Sequence, residues 1–336
     1  AQGIIDRGLS AERPIAVLSG NGLEHAVLGL GAMYAGVPFA SISPAYSLVA
    51  TDFGKLRAIL DLLTPGMVFA IDGTPFARAI EAAVPAGAEI VVLENAPAGR
   101  PATSLEALWR TKATAAVDAA HAKVGPDTIA KLLFTSGSTG TPKGVINTQR
   151  MMTSNQVMIA KAFPSFADTP PVILDWLPWS HTFGGNHNFN LVLMHGGTLF
   201  IDDGKPLPGA FEETVRNLRE VGPTVYFNVP KGFEMLLPYL KAEPVLRRTL
   251  FSRLQCFFYA GAALPPHLTA EIEKIGVETT GEKIPMVTSL GSTETAPSAT
   301  SVNAKAREPG VIGIPNAGVE MKLVPNARKL QVRLKG

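Results

Sequence analysis

The sequence is poor in cysteine, with Cys256 as the single one among 336 residues. One cysteine excludes an internal disulfide and is typical of a protein that works in a reducing cytoplasm. Cys256 lies in an apolar run, residues 254–259, that is typical of a strand. We therefore interpret it as a buried, unreactive thiol and not as a nucleophile.

The sequence also has little net charge. Its 30 lysines and arginines nearly balance 28 aspartates and glutamates, which gives a formal net charge of +2. Nucleic-acid-binding domains usually carry a clear excess of basic residues. We therefore predict no nucleic-acid partner.

Charged residues are absent between residues 26 and 51. A membrane-spanning helix needs about 20 apolar residues, so this length raises the question of a membrane span. Gly36, Pro38 and Pro44 interrupt the stretch and favour a buried helix, a turn and a buried strand. The start of the chain lacks the basic and then apolar layout of a secretory signal. We predict no membrane span and a cytoplasmic location.

Short apolar runs alternate with helical patterns along most of the chain. The runs predict strands at residues 14–19, 67–71, 89–93, 129–134, 172–177, 198–201, 224–229 and 254–259. Helical patterns occupy residues 23–34, 53–63, 75–84, 211–221 and 266–275. This alternation predicts an α/β fold with largely parallel sheets covered on both faces. After about residue 300, short strand-like runs predict the start of a small β unit.

Residues 135–144, Thr-Ser-Gly-Ser-Thr-Gly-Thr-Pro-Lys-Gly, follow one of the predicted strands. Glycine amides, hydroxyl groups and the ammonium of Lys143 together suit the binding of anionic oxygens. A Walker motif requires glycine just before the lysine and a hydroxyl residue just after it. Pro142 and Gly144 occupy those positions, so we predict a phosphate-binding loop of another kind.

This loop resembles the signature loop of the adenylate-forming superfamily, which includes acyl-CoA synthetases and peptide-synthetase adenylation domains. Three later segments resemble further motifs of that family, in the family's order. They are residues 177–184 (Leu-Pro-Trp-Ser-His-Thr-Phe-Gly), 259–265 (Tyr-Ala-Gly-Ala-Ala-Leu-Pro) and 290–295 (Leu-Gly-Ser-Thr-Glu-Thr). Residues 174–186 and 290–297 look most like feruloyl-CoA synthases.

The resemblance implies two largely parallel α/β subdomains of the five-layer αβαβα type plus the start of a small β-barrel. We place the first subdomain, with the phosphate loop, at residues 1–165, the second at residues 166–300 and the truncated barrel at residues 301–336. The family's C-terminal closing domain is absent from this sequence, which also lacks an initial Met. We therefore expect a fragment that forms thioester weakly or not at all on its own.

The resemblance also implies an activity. Family members use ATP and Mg²⁺ to convert a carboxylic acid to an acyl-adenylate, and coenzyme A then displaces AMP. The first step gathers negative charge, so it needs positioned cations and N–H donors. The implied catalytic residues are Lys143, Thr293, Glu294 and His181, with Glu294 as the magnesium ligand. The implied nucleotide contacts are Thr135, Ser136, Gly137, Ser138, Thr139, Gly140, Lys143, Gly261, Ala262, Ala263, Leu290 and Gly291.

One departure concerns the adenine side of the implied nucleotide site. Many family members place an aromatic residue where this sequence has Leu290. Adenine can pack on leucine, but the stacking contribution is weaker. Base selectivity and nucleotide affinity are therefore expected to differ from those members.

The implied substrate pocket contains His181, Phe183, His187 and Tyr259. A helix that begins at about Thr182 would place Phe183 and His187 on or near one wall. Peptide synthetases carry an aspartate here for the substrate's ammonium group, and residues 179–182 contain none. Because an unpaired ammonium would be costly to bury, amino acids are disfavoured.

We predict an aryl acid related to ferulate as the substrate. Three alternatives stay open: another acyl-CoA synthetase with the same mechanism, a non-catalytic nucleotide-binding remnant, and a phosphotransferase. The predicted partners are small molecules, namely the carboxylic acid, ATP and coenzyme A, and a homodimer stays open.

Overall fold

The computed structural model describes residues 1–136, 140, 142–302, 311–326 and 329–334. By its internal contacts the chain divides into two compact units. The first unit holds residues 1–153 and 178–182, and the second holds residues 154–177 and 183–336. The subdomain boundaries predicted at residues 165 and 300 stay predictions.

The first unit is built on short, largely apolar strands. They are β1 (Ile15–Val17), β2 (Phe39–Ser41), β3 (Met67–Asp72), β4 (Glu89–Glu94), β5 (Thr103–Ser104), β6 (Ile129–Ser136) and β7 (Pro142–Thr148). The sheet order is β5-β4-β3-β1-β2-β6-β7. Neighbouring strands run parallel from β5 to β6, and β7 is antiparallel to β6.

Helices cover both faces of this sheet. They are α1 (Gln2–Ile5), α2 (Leu23–Tyr34), α3 (Ala45–Leu48), α4 (Gly54–Leu63), α5 (Gly73–Ala83), α6 (Leu105–Trp109) and α7 (Ala115–His121). Ile15 packs with Leu28 of α2, whereas its neighbour Ala16 packs with Leu56 of α4 on the other face. Alternate residues of β1 therefore point to opposite faces, and both faces are buried, as parallel sheets require.

The second unit contains two parallel sheets and two antiparallel strand pairs. Its strands are β8 (Val172–Asp175), β9 (Thr198–Ile201), β10 (Val225–Asn228), β11 (Cys256–Tyr259), β12 (Met286–Thr288), β13 (Thr300–Ser301), β14 (Ile314–Pro315), β15 (Met321–Asn326) and β16 (Lys329–Leu334). Strands β10, β11 and β12 form one parallel sheet in that order, and β8 pairs with β9 in another. Strand pairs β13–β14 and β15–β16 are antiparallel.

The helices of the second unit lie on both sides of the β10–β11–β12 sheet. They are α8 (Gln149–Ala162), which begins in the first unit, α9 (Ser165–Asp168), α10 (Phe189–His195), α11 (Phe211–Glu220), α12 (Pro230–Ala242), α13 (Pro244–Phe251) and α14 (Pro266–Thr280). On β11, Phe257 packs with α12 and α14, and Phe258 packs with Ile159 of α8 and Leu191 of α10. Each fully buried aromatic ring contributes about 1.5–3 kcal/mol relative to an exposed one.

The predicted α/β class with largely parallel sheets is confirmed in both units, while the five-layer arrangement stays a prediction. The charge-free stretch forms part of helix α2 followed by strand β2, as predicted. In the part of the chain that the structure describes, no helix is long and apolar enough to cross a bilayer. The strands after residue 300 form pairs, and the described residues there contain no closed barrel.

The sequence reasoning missed helix α12. Gly232 and Pro238 lie inside it, and a proline inside a helix costs about 3 kcal/mol. Phe233, Leu236 and Leu240 are fully buried on one side of the helix. Burial of these side chains offsets the backbone cost, which a reading of local sequence preferences does not capture.

Candidate functional site

The predicted phosphate loop joins two antiparallel strands of the first unit. Thr135 and Ser136 end β6, and Lys143 lies opposite Thr135 near the start of β7. Gly140, between them, has φ +84°, a conformation that favours glycine. Three predicted contacts, Gly137, Ser138 and Thr139, lie outside the described residues.

Strand β7 corrects the prediction that residues 142–144 are loop. They pair with residues 134–136 of β6. Pro142 is the first residue of β7, a position where a strand tolerates the missing N–H. The side chain of Lys143 is therefore held on a strand, and it is exposed. Among the described residues, none forms an ion pair with Lys143.

His181 lies in the short segment 178–182, which belongs to the first unit. Its backbone N–H donates to the carbonyl of Pro178 at 3.0 Å. The backbone N–H of Trp179 donates to Oδ1 of Asn21 at 2.9 Å, and the Trp179 ring meets His25 edge-on at 5.1 Å. The segment is therefore anchored to the start of α2. The His181 side chain is exposed, and its pKa is lowered by partial desolvation.

His25 is the buried partner in this anchor. Its Nε2 lies 2.8 Å from the hydroxyl of Ser41, and its Nδ1 lies 2.9 Å from the carbonyl of Gly20. Burial lowers the pKa of His25 to about 4, so the ring is neutral at pH 7. A Ser–His contact is one element of a nucleophilic site. Both side chains are buried, however, and the pair serves to fix the local structure.

The helix predicted after Thr182 is present, as a π-helix over Phe183–Asn188 that continues into α10. The rings of Phe183 and His187 lie 5.7 Å apart. The structure therefore brings these two predicted pocket residues together. Phe227 and Phe258 complete the cluster, with ring centroids 5.4 Å and 5.1 Å from that of His187.

His187 is neutral in this aromatic cluster. Burial lowers its pKa to about 4, and its Nδ1 lies 2.9 Å from Oδ1 of Asn188. At neutral pH the ring therefore carries no charge with which to attract an anion. Its surroundings favour packing against apolar or aromatic groups.

Tyr259 lies on the other face of the β10–β11–β12 sheet. It packs in the cluster of Phe257, whereas Phe258 packs with Phe183. The alternation of side chains along β11 separates the two sets. The sequence analysis expected Tyr259 to line one pocket with Phe183 and His187. In the structure, Tyr259 lies on the opposite face of the sheet from these two residues.

The predicted adenine side, Gly261, Ala262 and Ala263, begins two residues after the end of β11 and is exposed. Gly261 has φ +89°, so the chain turns there in a conformation that favours glycine. Leu290 and Gly291 follow β12. The backbone N–H of Leu290 donates to the hydroxyl of Thr300 at 3.0 Å, and Gly291 forms a bridge with Ser298.

Residues 291–298 form a tight loop, here called the Glu294 loop. Thr293–Thr295 make one 3₁₀ turn, capped by the side chains of Ser292 and Thr295. A Cβ at Gly291 would lie 2.5 Å from the carbonyl oxygen of Pro297, so the loop closes only with glycine there. The turn leaves Thr293 buried and Glu294 exposed.

Glu294 presents an exposed carboxylate. Within the described residues it forms no ion pair, and no group of three or more potential metal-binding side chains occurs there. Mg²⁺ often binds through one or two carboxylates together with substrate phosphates and water, and Glu294 suits that role.

Sequence reasoning missed a buried carboxylate, Asp175 at the end of β8. Its Oδ2 accepts from Nδ2 of Asn188 at 2.8 Å, and its Oδ1 accepts from the N–H of Leu177 at 3.0 Å. Asn188 ends the π-helix, so Asp175 ties that helix to β8. Burial, with a smaller contribution from the nearby Asp202, raises the pKa of Asp175 to about 7, although the hydrogen bonds from Asn188 and Leu177 lower it. An aspartate inside the apolar run 172–177 was the available signal.

Replacing Asp175 with asparagine is expected to remove a pH dependence of stability. The native pKa of about 7 lies above the ordinary value of 3.8. Asp175 therefore contributes stability that is present below pH 3.8 and lost as the pH rises through about 7. Urea unfolding of the parent and of Asp175→Asn from about pH 4 to about pH 8 measures the difference.

His25 and His187 contribute an opposite pH dependence of stability, because their native pKa values are lowered. This contribution is the same in the parent and in Asp175→Asn, so it cancels in the difference between their free energies of unfolding at each pH. Asp203→Asn, at an exposed neighbouring position, is the control and should leave the pH dependence unchanged. Parallel curves for the parent and Asp175→Asn would contradict the raised pKa.

The model of the AMP-binding enzyme family matches residues 1–334. Sulfoacetate–CoA ligase of Cupriavidus necator is 30% identical over 343 residues, which cover 98% of this chain and 60% of that protein. Indoleacetate–CoA ligase of Aromatoleum aromaticum is 29% identical over 180 residues, covering 54% of this chain and 32% of that protein.

A solved malonyl-CoA ligase, a ternary product complex with methylmalonyl-CoA and AMP bound, has a TM-score of 0.70 at 25% identity. The match covers 99% of this chain and 65% of that one. This chain thus spans less than two thirds of the length of each of these relatives. The family match over nearly its whole length nevertheless establishes that the chain belongs to the AMP-binding enzyme family.

Proposed function

We propose that the full-length protein is an AMP-forming acid–CoA ligase. A carboxylate oxygen attacks the α-phosphorus of ATP, the bond to pyrophosphate breaks, and an acyl-adenylate forms. The sulfur of coenzyme A then attacks the acyl carbon, and AMP leaves with the C–O bonding pair. The observation that carries the proposal is the exposure of Lys143 and Glu294 on two segments that resemble family motifs, each without a described ion-pair partner.

The first step concentrates the charge of a triphosphate and a carboxylate. Positioned cations and N–H donors stabilise such charge more than an acid or a base would. We assign Lys143 to the β- and γ-phosphates, with the hydroxyls and amides of residues 135–140 around them. Thr293 is assigned to the α-phosphate, and His181 to the mouth of the acyl pocket.

Glu294 is the proposed ligand of Mg²⁺. As a hard cation, Mg²⁺ prefers oxygen ligands and keeps several water molecules, which suits one exposed carboxylate beside phosphate oxygens. When bound, the metal would neutralise phosphate charge. Glu294 itself would supply a carboxylate oxygen to the metal from the capped 3₁₀ turn.

The base of the nucleotide is assigned to residues 261–263 and to Leu290. The small side chains of Ala262 and Ala263 let a flat ring approach the backbone. Leu290 offers an apolar contact in place of an aromatic one.

The proposed substrate is an aryl acid of the hydroxycinnamate type. The rings of Phe183, His187, Phe227 and Phe258 form an aromatic cluster, and Phe183 itself belongs to the matched motif at residues 177–184. His187 is neutral at pH 7 because burial lowers its pKa to about 4. It therefore offers no charge for a second anionic group, such as a sulfonate. The resemblance to an indoleacetate–CoA ligase supports an aryl acid. The proposed pocket does not include Tyr259, because Tyr259 lies on the other face of the sheet.

Product analysis of the full-length protein tests the proposal. The protein is incubated with Mg-ATP, coenzyme A and one acid at a time: ferulate, indoleacetate, benzoate, sulfoacetate, malonate, a medium-chain fatty acid or phenylalanine. We expect AMP, pyrophosphate and a thioester with ferulate or another aryl acid. The same products with sulfoacetate or malonate alone would keep the reaction class and overturn the substrate.

Two other results would overturn the reaction class. ADP in place of AMP would indicate a phosphotransferase. No acid-dependent product with any acid would favour a protein that binds nucleotide without catalysis.

A further inference from the structure

Two neighbouring amide side chains on α8, Asn155 and Gln156, hold two different segments of the candidate site. Both side chains are buried, with 3% of their surface exposed. Successive residues on a helix point about 100° apart, so the two amides reach in different directions. Sequence reasoning assigned neither of them a role.

Asn155 binds the Glu294 loop. Its Nδ2 donates to the carbonyl of Thr295 at 3.1 Å and to that of Ser298 at 2.9 Å. Its Oδ1 accepts from the backbone N–H of Ser298 at 3.1 Å. One side chain thus pairs with both the donor and the acceptor of Ser298 and with the carbonyl that follows Glu294. These contacts fix the C-terminal side of the 3₁₀ turn that presents Thr293 and Glu294, and Ser298 in turn forms a bridge with Gly291 on the N-terminal side.

Gln156 binds the π-helix. Its Nε2 donates to the carbonyl of Asn186 at 3.0 Å and to that of His187 at 3.3 Å. The same helix is also tied to β8 through Asn188 and Asp175. A π-helix is rarer and less regular than an α-helix, so side-chain contacts to its carbonyls matter for its position. Gln156 therefore fixes the backbone that carries His187.

The other amide atom of Gln156 is unused. Within the part of the chain that the structure describes, its buried Oε1 has no hydrogen-bond partner. An unpaired buried acceptor costs about 1–3 kcal/mol. The contribution of Gln156 therefore comes from its two donated bonds. An apolar side chain of the same shape would remove these bonds together with the unpaired acceptor.

We propose that Asn155 and Gln156 are positioning residues with separate targets: Asn155 orients the Glu294 loop for the nucleotide, and Gln156 orients the acyl-pocket helix for the acid. Because they are adjacent on α8, one helix sets the two segments relative to each other. This assignment rests on the proposed function, since it presumes that the two segments bind nucleotide and acid.

Shape-matched variants of the full-length protein test the division. Asn155→Leu is expected to raise the KM for ATP or lower kcat by roughly tenfold or more, with the KM for the acid changed by less than about twofold. Gln156→Met is expected to raise the KM for the acid by roughly tenfold, with the KM for ATP changed by less than about twofold. Lys161→Ala, at an exposed position on the same helix, is the control.

Hydrogen–deuterium exchange gives a readout that is independent of activity. Asn155→Leu should speed exchange of backbone amides in residues 291–301 and leave residues 183–190 unchanged. Gln156→Met should do the reverse. The free energy of unfolding of Gln156→Met should fall little. The substitution removes two hydrogen bonds, but it also removes a buried unpaired acceptor, which offsets part of the loss.

Several outcomes would overturn the proposal. One is an equal change of both KM values in each variant. Another is unchanged kinetics with only a lower free energy of unfolding, which would mean a purely structural role. A third is exchange that does not separate the two segments. If the parent forms no AMP, the proposed function fails by itself, and the exchange experiment still decides whether the two side chains position separate segments.

Discussion

Replacing Lys143 with alanine in the full-length protein is expected to lower the rate of acyl-adenylate formation about 100- to 1000-fold. The side chain is exposed near the start of β7, opposite Thr135. Because it forms no ion pair within the described residues, its removal should not leave a buried charge unpaired. The loss should therefore fall on catalysis and not on folding. Acid-dependent release of pyrophosphate under single-turnover conditions measures the first step directly.

Two further substitutions complete this test. Lys112→Ala removes an exposed lysine of the same unit that lies outside the matched motifs, and it should leave the rate unchanged. Lys143→Arg keeps the positive charge but changes its shape, so it should recover only part of the rate. Ordinary turnover by Lys143→Ala would mean that the lysine has no role in phosphate binding.

Replacing Glu294 with glutamine is expected to raise the Mg²⁺ concentration needed for half-maximal rate by roughly tenfold or more, and to lower kcat by about 100-fold. Glutamine keeps the size of the side chain but removes its charge. The 3₁₀ turn is held by Ser292, Thr295 and Asn155, so the loop itself should persist. A Mg²⁺ titration at fixed ATP concentration measures the shift.

Glu282→Gln is the matched control, because Glu282 is exposed after α14 and lies outside the motifs. It should leave the Mg²⁺ dependence as in the parent. If Glu294→Gln lowered kcat without any change in the Mg²⁺ dependence, Glu294 would act on the reaction in another way than as a metal ligand.

Much of the fold could be predicted because its signals are local. The runs that form β3, β4 and β9 are short and apolar, and the periodic pattern of residues 23–34 matches α2. Alternation of such elements along the chain is sufficient to indicate parallel sheets. Two of the elements that local reasoning missed, β7 and α12, contain proline and glycine and form because neighbouring elements bind or bury them.

In the candidate site, too, some residues are marked by local sequence and others only by their tertiary contacts. The matched segments supply Lys143, His181 and Glu294, since these residues stand in short contiguous motifs that a sequence displays directly. Asp175, Asn155 and Gln156 act through partners that are distant in sequence: Asn155, for example, contacts Ser298. No local pattern marks such a pair, because a buried amide looks the same in sequence as a solvated one.

The sequence by itself thus determined the α/β class, the order of the motifs and the residue types available for binding anions. Only the tertiary structure decided which side chains meet. Tyr259 and Phe258 are neighbours on β11, yet they pack on opposite faces of the sheet, and only Phe258 joins Phe183 and His187. The physical reason is that a strand turns successive side chains to opposite sides, while the helices packed on each side determine what those side chains contact.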